Sequence, residues 1–173
     1  PLELFEIPTE VLRDQIFRYK LEPRITTLRA HRDILSKTLF AKILQPFELN
    51  QLAGILRAKT LARGDVWSFP IQDPAHLFIL ESGHCEITGS EDVSFQLSST
   101  TTDLSPIIPT GHFILGTQPV IRLQSSSSAL FWVLQGNLLD TICLQNLKLK
   151  SKLTSAFKNL THLKNKSPPP TPP

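Results

Sequence analysis

Apolar residues recur every three or four positions toward the two ends of the chain and every second position through its middle. That pattern predicts helices, then strands, then helix again. Pro8 can open a first helix, with Leu12, Ile16 and Tyr19 along one side. Pro23 predicts an interruption, because the residue before a proline avoids the helical region. A second helix is expected over about 24–44, where Leu28, Leu35 and Leu39 recur and Asp33 precedes Lys37 by four residues. Pro46 predicts a third start, with Leu49, Leu52, Ala53 and Leu56 spaced as one helical face.

At Gly64 the texture changes to short β-like runs between turn residues. Residues 66–69 and 77–80 form two such runs, the second closed by Ser82 and Gly83. Cys85 alternates with Ile87, and Val93, Phe95 and Leu97 alternate strictly with polar residues, as a half-buried strand does. A Ser/Thr-rich loop is expected over 98–105, then strands over 113–115, 120–123 and 129–134. Many short strands at close spacing predict an antiparallel β-roll of jelly-roll type rather than a parallel α/β sheet. From Leu138 the helical period returns: Leu139, Ile142, Leu149, Leu153, Phe157 and Leu160 can share one stripe of a long C-terminal helix.

Composition adds three constraints. With 173 residues, 40% hydrophobic and 19% charged, the chain can bury one sizeable core, and no apolar run reaches the roughly 18 residues a membrane span needs. Cys85 and Cys143 are too few and too far apart for a secreted disulfide scaffold, which implies reduced thiols and a cytoplasmic setting. From Leu144 onward six lysines (148, 150, 152, 158, 164 and 166) meet no acid, while the remainder is net acidic. With no arginine or aromatic platform among them, these lysines read as a solvated helix face rather than a nucleic-acid surface. The start on Pro1, the absence of Met and the Pro-rich run 167–173 predict a segment of a longer polypeptide with another domain beyond the prolines. The expected organisation is a helical extension over 1–35, a roll with its C-terminal helix over 36–163, and a linker over 164–173.

The order of elements, with the residues that punctuate it, resembles the cyclic-nucleotide-binding domain family over about 36–157. Leu39, Phe40, Glu48, Leu49, Leu52 and Leu56 resemble the family's opening helix, and Arg63, Gly64, Asp65 and Val66 its first strand. Asp73, Pro74 and Ala75, followed by residues 77–80 and Gly83, resemble its hairpin. Gly111, Phe113, Leu115 and Gly116 sit where the family enters its phosphate-binding cassette. The resemblance implies a β-roll that captures a cyclic phosphate with the amides of a short helix, a Glu for the ribose and an Arg for the phosphate. Amides at a helix N-terminus and a guanidinium suit an anion for electrostatic reasons.

This sequence departs from that cassette. Leu115, Gly116 and Thr117 stand where the family has Phe-Gly-Glu, so the carboxylate is missing. The arginine position falls within 125–128, a run of four serines, and the arginine of the region, Arg122, comes early within a strand-like stretch. Pro119 arrives where the short helix should form. A lost charged hydrogen-bond partner costs about 1.5–3 kcal/mol. The expectation is a degenerate cassette, in which Leu115, Gly116, Thr117, Arg122, Ser125, Ser126 and Ser127 would line whatever site remains.

Other constellations give less. His76, His84, Cys85 and His112 show no ligand spacing for a metal or haem, and neighbours His84 and Cys85 should face opposite sides of a strand. The serine run lacks a nucleophile elbow, and no phosphate loop or dinucleotide fingerprint is present. No catalytic residue, metal or cofactor is therefore expected. Trp67 and Trp132 fit either core packing or partner anchoring. Residues 93–147 carry three charges, Asp103, Arg122 and Asp140, which fits either an interface or a quiet Ser/Thr surface.

The reading that follows is a non-catalytic regulatory or docking domain acting on a neighbouring domain or a partner protein, without nucleic acid or membrane insertion. Bacterial secretion ABC transporters carry such a domain N-terminally and are one architecture it resembles. A homodimer through the C-terminal helix is a further expectation. Two alternatives stay open: a sensor of a cyclic nucleotide or other small effector, and a fragment of a catabolite-activator-type transcription regulator.

Overall fold

Residues 77–80 set the plan of the molecule. In this computed structural model, which describes residues 6–69, 76–89, 94–99, 104–110 and 120–164, all four of these side chains are buried, but on two different sides. Phe78 and Leu80 point into a cluster with Leu61, Cys85, Ile87, Ile108, Leu123 and Phe131. Leu77 and Ile79 join a second cluster with Leu35, Phe40, Leu52, Leu134, Leu139, Leu153 and Phe157. Successive side chains of a strand point to opposite faces, so this one strand divides the roll's interior from a helical layer packed outside it.

The strands are β1 (Leu56–Leu61), β2 (Val66–Ser68), β3 (Leu77–Ser82), β4 (His84–Gly89), β5 (Ser94–Ser98), β6 (Ile107–Pro109), β7 (Val120–Ser125) and β8 (Ala129–Leu134). They form two four-stranded antiparallel sheets, ordered β1-β8-β3-β6 and β2-β7-β4-β5. The helical layer is α1 (Thr9–Arg18), α2 (Glu22–Ser36), α3 (Phe40–Ile43), α4 (Pro46–Ile55), α5 (Gly136–Gln145) and α6 (Leu147–Lys164). The predicted β-roll with flanking helices is therefore the observed architecture.

Several local boundaries differ from the sequence expectation, each for a visible reason. Pro23 lies inside the first turn of α2, where its missing N–H is no loss, rather than between two helices. The break falls earlier, at a C-terminal cap of α1. Leu21 N–H donates to the Ile16 carbonyl (2.9 Å) and Lys20 N–H to the Phe17 carbonyl (3.1 Å), with Lys20 at φ 51°. That is the Schellman pattern, with lysine at the left-handed position glycine usually takes.

The helix expected over 24–44 is two. Buried Thr38 donates its hydroxyl to the Leu35 carbonyl (2.7 Å) and accepts from the Phe40 amide (3.1 Å), which ends α2 and starts α3. Leu56, placed by periodicity on a helix, is instead the first residue of β1, so strand structure begins eight residues before Gly64. Strand β6 has no counterpart in the expectation, and the strand expected over 113–115 lies outside the described residues.

The single C-terminal helix is a pair, α5 and α6, separated at Asn146, whose side-chain oxygen accepts from the Leu149 amide (3.1 Å). Leu139, Leu149, Leu153 and Phe157 are nonetheless buried together, and Phe157 meets Phe40 edge to face at 6.3 Å. The Leu160 side chain and the Pro-rich run lie outside what is described.

Candidate functional site

The antiparallel register lays the outer face of the second sheet out in rows. Val66 pairs with Gln124, Gln124 with Glu86, and Glu86 with Gln96, one residue from each of the four strands. The next row runs Ser68, Arg122, Thr88, Ser94. The alternating row behind them includes Trp67, Leu123 and Ile87, which line the roll interior. Parity thus fixes where Arg122 goes: its side chain is exposed on the outer face and its guanidinium donates to the Gln124 side-chain oxygen at 3.1 Å. Among the described residues no helix covers these two rows, whereas the corresponding face of the first sheet is packed against α2–α6.

The serine run is the β7–β8 connection. The Gly64 amide donates to the Ser125 carbonyl (2.8 Å) and the Ser125 amide to the Asp65 carbonyl (3.0 Å). The Ser126 amide donates to the His84 carbonyl (3.1 Å), and the His84 amide to Ser127 Oγ (2.9 Å). Ser125 is buried and its hydroxyl donates to the Ser127 carbonyl. The structure therefore brings Ser125, Ser126 and Ser127 together with Gly64, Asp65 and His84 in a closed turn, and leaves Arg122 on the opposite side of the sheet. Leu115, Gly116, Thr117 and Pro119, like His112 and residues 73–75, lie outside the described residues.

The tryptophans have defined surroundings. Trp67 is half-buried against Phe78 and Phe131, with ring centroids 5.5 and 5.7 Å away, and Lys59 Nζ sits 4.0 Å over its ring. Trp132, also half-buried, donates its indole N–H to the Glu81 carboxylate and meets the His31 ring at 5.2 Å. His31 in turn contacts the Ala53 carbonyl through Nδ1 at 2.8 Å. Trp67 thus packs on the roll's interior cluster and Trp132 against His31 of α2.

The pairing that sequence reasoning missed is Glu48 with Lys152. Gln45 and Glu48 form a capping box at the start of α4, the Gln45 amide donating to Glu48 Oε2 at 2.7 Å, and Lys152 of α6 donates to the same oxygen at 2.6 Å. Burial pushes the Glu48 carboxyl up, but the Lys152 ammonium and the Gln45 amide outweigh it and hold the group below its ordinary value. The spacing Gln45-x-x-Glu48 was a legible capping signal. Nothing local marked Lys152, which departs from the solvated face expected of the basic tail.

As expected for neighbours on a strand, His84 is exposed and Cys85 buried. Burial pushes the Cys85 thiol up to about 11, and Cys143 is raised by burial and by Asp140. Both are free thiols of low reactivity. Among the described residues no three His, Cys, Asp or Glu side chains are grouped to hold a metal ion, and no helix is long and apolar enough to cross a membrane.

No protein-family model matches the chain, and no curated protein is similar to it. Solved structures do match its fold. A regulatory subunit of a cAMP-independent protein kinase A from Trypanosoma brucei, a mutant bound to cAMP, is 14% identical with a TM-score of 0.59, the match covering 90% of this chain and 53% of that one. The corresponding subunit from Trypanosoma cruzi, bound to guanosine, is 16% identical (TM-score 0.55; 88% and 56% covered). A protein from Geobacter metallireducens described as cyclic nucleotide-binding is 20% identical (TM-score 0.55; 72% and 91% covered). The chain spans about half the length of the kinase subunits it matches. At these identities the shared property is the fold, the roll of cyclic-nucleotide-binding domains.

Proposed function

We propose that this chain is a non-catalytic regulatory and docking module on the cyclic-nucleotide-binding fold. In this reading it is cytoplasmic and works on a neighbouring domain of a larger protein, for which a secretion transporter is one host that fits. It does so through the outer face of its second sheet rather than through a phosphate pocket. The observation that carries this reading is the orientation of Arg122. The arginine position of the cassette this chain resembles falls on serines. Arg122, the arginine of this region, stands on the outer face, bonded to Gln124 and in register with Ser68, Thr88 and Ser94, where a guanidinium cannot serve a phosphate held on the other side of the sheet. The missing carboxylate at Thr117 points the same way. The two described rows are polar apart from Val66 and carry two charges, Glu86 and Arg122, which suits a weak partner held nearby by a tether, where effective concentration replaces intrinsic affinity.

Calorimetry with cAMP and cGMP at millimolar concentration tests the first half of this reading; no binding heat is expected, and a dissociation constant in the low micromolar range overturns it. The second half is tested in the full-length host with Gln124→Glu and Gln96→Lys, which place new charges on the exposed rows. Folded variants are expected to lose coupling to the neighbouring domain; coupling equal to wild type in every such variant defeats the docking role.

A second reading has an observation of its own. The Trypanosoma cruzi neighbour is bound to guanosine, a nucleoside without a phosphate. A sensor of an uncharged nucleoside has no phosphate to hold and so needs no inward Arg, although its ribose would have to be held without the Glu that the resemblance expects. Guanosine belongs in the same calorimetric series, and saturable heat with it but not with cyclic nucleotides selects the sensor.

A further inference from the structure

Four strands form the edges of the two sheets, β1 and β6 in the first, β2 and β5 in the second. An open edge is a template for a further strand, and proteins blunt it with charge, proline or short length. Three of these edges are blunted in that way. β1 carries Arg57 and Lys59, and β2 and β6 are three residues each, β6 closing on Pro109. By contrast β5 is five residues long, and residues 93–102 contain neither a charge nor a proline.

The register fixes which backbone groups β5 turns outward. The Ser126 amide donates to the His84 carbonyl (3.1 Å), so His84 and, by alternation, Glu86 and Thr88 direct their backbone groups to β7. Cys85 and Ile87 then face β5, where they pair with Leu97 and Phe95. The Ser99 amide, which donates to the Gly83 carbonyl (3.3 Å), has the same parity. Ser94 and Gln96 therefore point their N–H and C=O away from β4, along the outer edge of the sheet. Among the described residues no strand pairs with that edge.

The strand is also its own complement. It reads Ser-Phe-Gln-Leu-Ser, with Gln96 in the middle. Two copies laid antiparallel about Gln96 overlap along the whole strand, Gln96 opposite Gln96 and Phe95 opposite Leu97. Because Gln96 directs its backbone outward, its two copies can exchange both amide–carbonyl bonds. The exposed row Val66, Gln124, Glu86, Gln96 then continues into the same row of the second copy. The stripe Leu149, Leu153 and Phe157 of α6 is already consumed in the chain's own core.

We propose that the β5 edge takes β5 of a second copy of this chain, antiparallel and centred on Gln96, which joins the two outer sheets into one. Each copy has one such edge, so pairing closes at two with two-fold symmetry. A strand pair of this length is a small interface, and the association is weak and concentration-dependent. The inference goes beyond the docking reading, since it concerns the rim of the sheet and a like partner.

Sedimentation equilibrium of the full chain, carried to millimolar concentration, tests this. The wild type is expected to be in monomer–dimer equilibrium. Its Gln96 amide should exchange more slowly as concentration rises, while the Leu97 amide, already bonded to β4, stays the same. Gln96→Pro removes the central donor without touching the β4 ladder and should raise the dissociation constant about tenfold or more. Gln96→Lys and Gln96→Glu each set like charges opposite one another, because residue 96 meets its own copy in this register, and each should raise it about fivefold. Mixed in equal amounts, the two charged variants should pair at least as tightly as wild type. If circular dichroism shows the proline variant unfolded, the charged pair decides. A chain that stays monomeric overturns the proposal, including one whose edge binds only a segment of another protein. A dimer that every folded variant leaves unchanged does so too, and so does a charged mixture that associates no better than either variant alone. Host coupling plays no part in these readings, so they stand or fall apart from the docking test.

Discussion

Lys152 and Glu48 stand 104 residues apart in the chain and meet at 2.6 Å, joining the last helix to the helix that leads into the first strand. The carboxylate side chain is 2% exposed and the ammonium side chain 34%, so the acid depends on this partner while the base keeps contact with water. Removing the lysine therefore strands a buried charge. Lys152→Met is expected to lower stability by about 1–3 kcal/mol, read by urea denaturation. The double variant with Glu48→Gln, which keeps an oxygen for the Gln45 amide, should recover part of that loss. A single variant as stable as wild type would show that water satisfies Glu48.

The same pair sets an acid limb. Folding lowers Glu48 from its ordinary value of 4.5, so between the folded and ordinary values the unfolded chain binds more protons. The contribution is complete above 4.5 and is lost as pH falls through the folded value. Glu48→Gln should therefore differ from wild type at neutral pH and converge on it as pH falls through the folded value. A gap that stays constant with pH would mean the group is not shifted by folding.

Lys20 adopts φ 51° at the end of α1, a conformation costing an L-residue about 1–2 kcal/mol. Lys20→Gly removes that cost at a position whose backbone bonds are already made. The expected result is a gain of up to about 1 kcal/mol, or greater helical protection of residues 9–18 in amide exchange. A loss of stability would place the lysine side chain in a contact that matters.

Gly83, between β3 and β4, has φ 95°, and a Cβ there would lie 2.7 Å from Ala129 Cα and against the Ser128 carbonyl oxygen. Both are backbone atoms, one in the serine turn and one at the start of β8, so relief would need the main chain to shift. Gly83→Ala is expected to destabilise by about 2 kcal/mol or more, and to loosen the His84–Ser126 and His84–Ser127 bonds, visible as faster exchange of those amides. Wild-type stability would mean that the hairpin shifts freely.

The strands were legible as unbroken apolar runs at 77–80 and 129–134 and as the alternation of Cys85 with Ile87. The helices were less so, because three boundaries depend on groups the period does not see. Thr38 caps two helices at once, Lys20 takes a glycine's place, and Asn146 splits a stripe whose leucines stay in phase across the break. Leu56 misled because a helix face and a strand start both demand a buried leucine there. At the candidate site the expected loss of a carboxylate at Thr117 falls on residues outside those the structure describes. The outward turn of Arg122 was not legible, since it follows from register with β2 and β4 rather than from spacing. The Glu48–Lys152 contact was hidden for the same reason, a contact made only when the chain's two helical ends meet.

Among the described residues the sheet β2-β7-β4-β5 is clothed on its inner side only, and that gives the molecule two faces under different selective rules. Exchanges along Leu77, Ile79 and Leu134 must satisfy the helices packed on them. Exchanges along Gln96, Ser94, Ser68 and Arg122 meet water and leave the interior row untouched. A fold built this way can change what it recognises, one exposed row at a time, without risking the ability to fold, so lineages sharing the roll are free to drift apart in ligand and partner while their backbones stay superimposable.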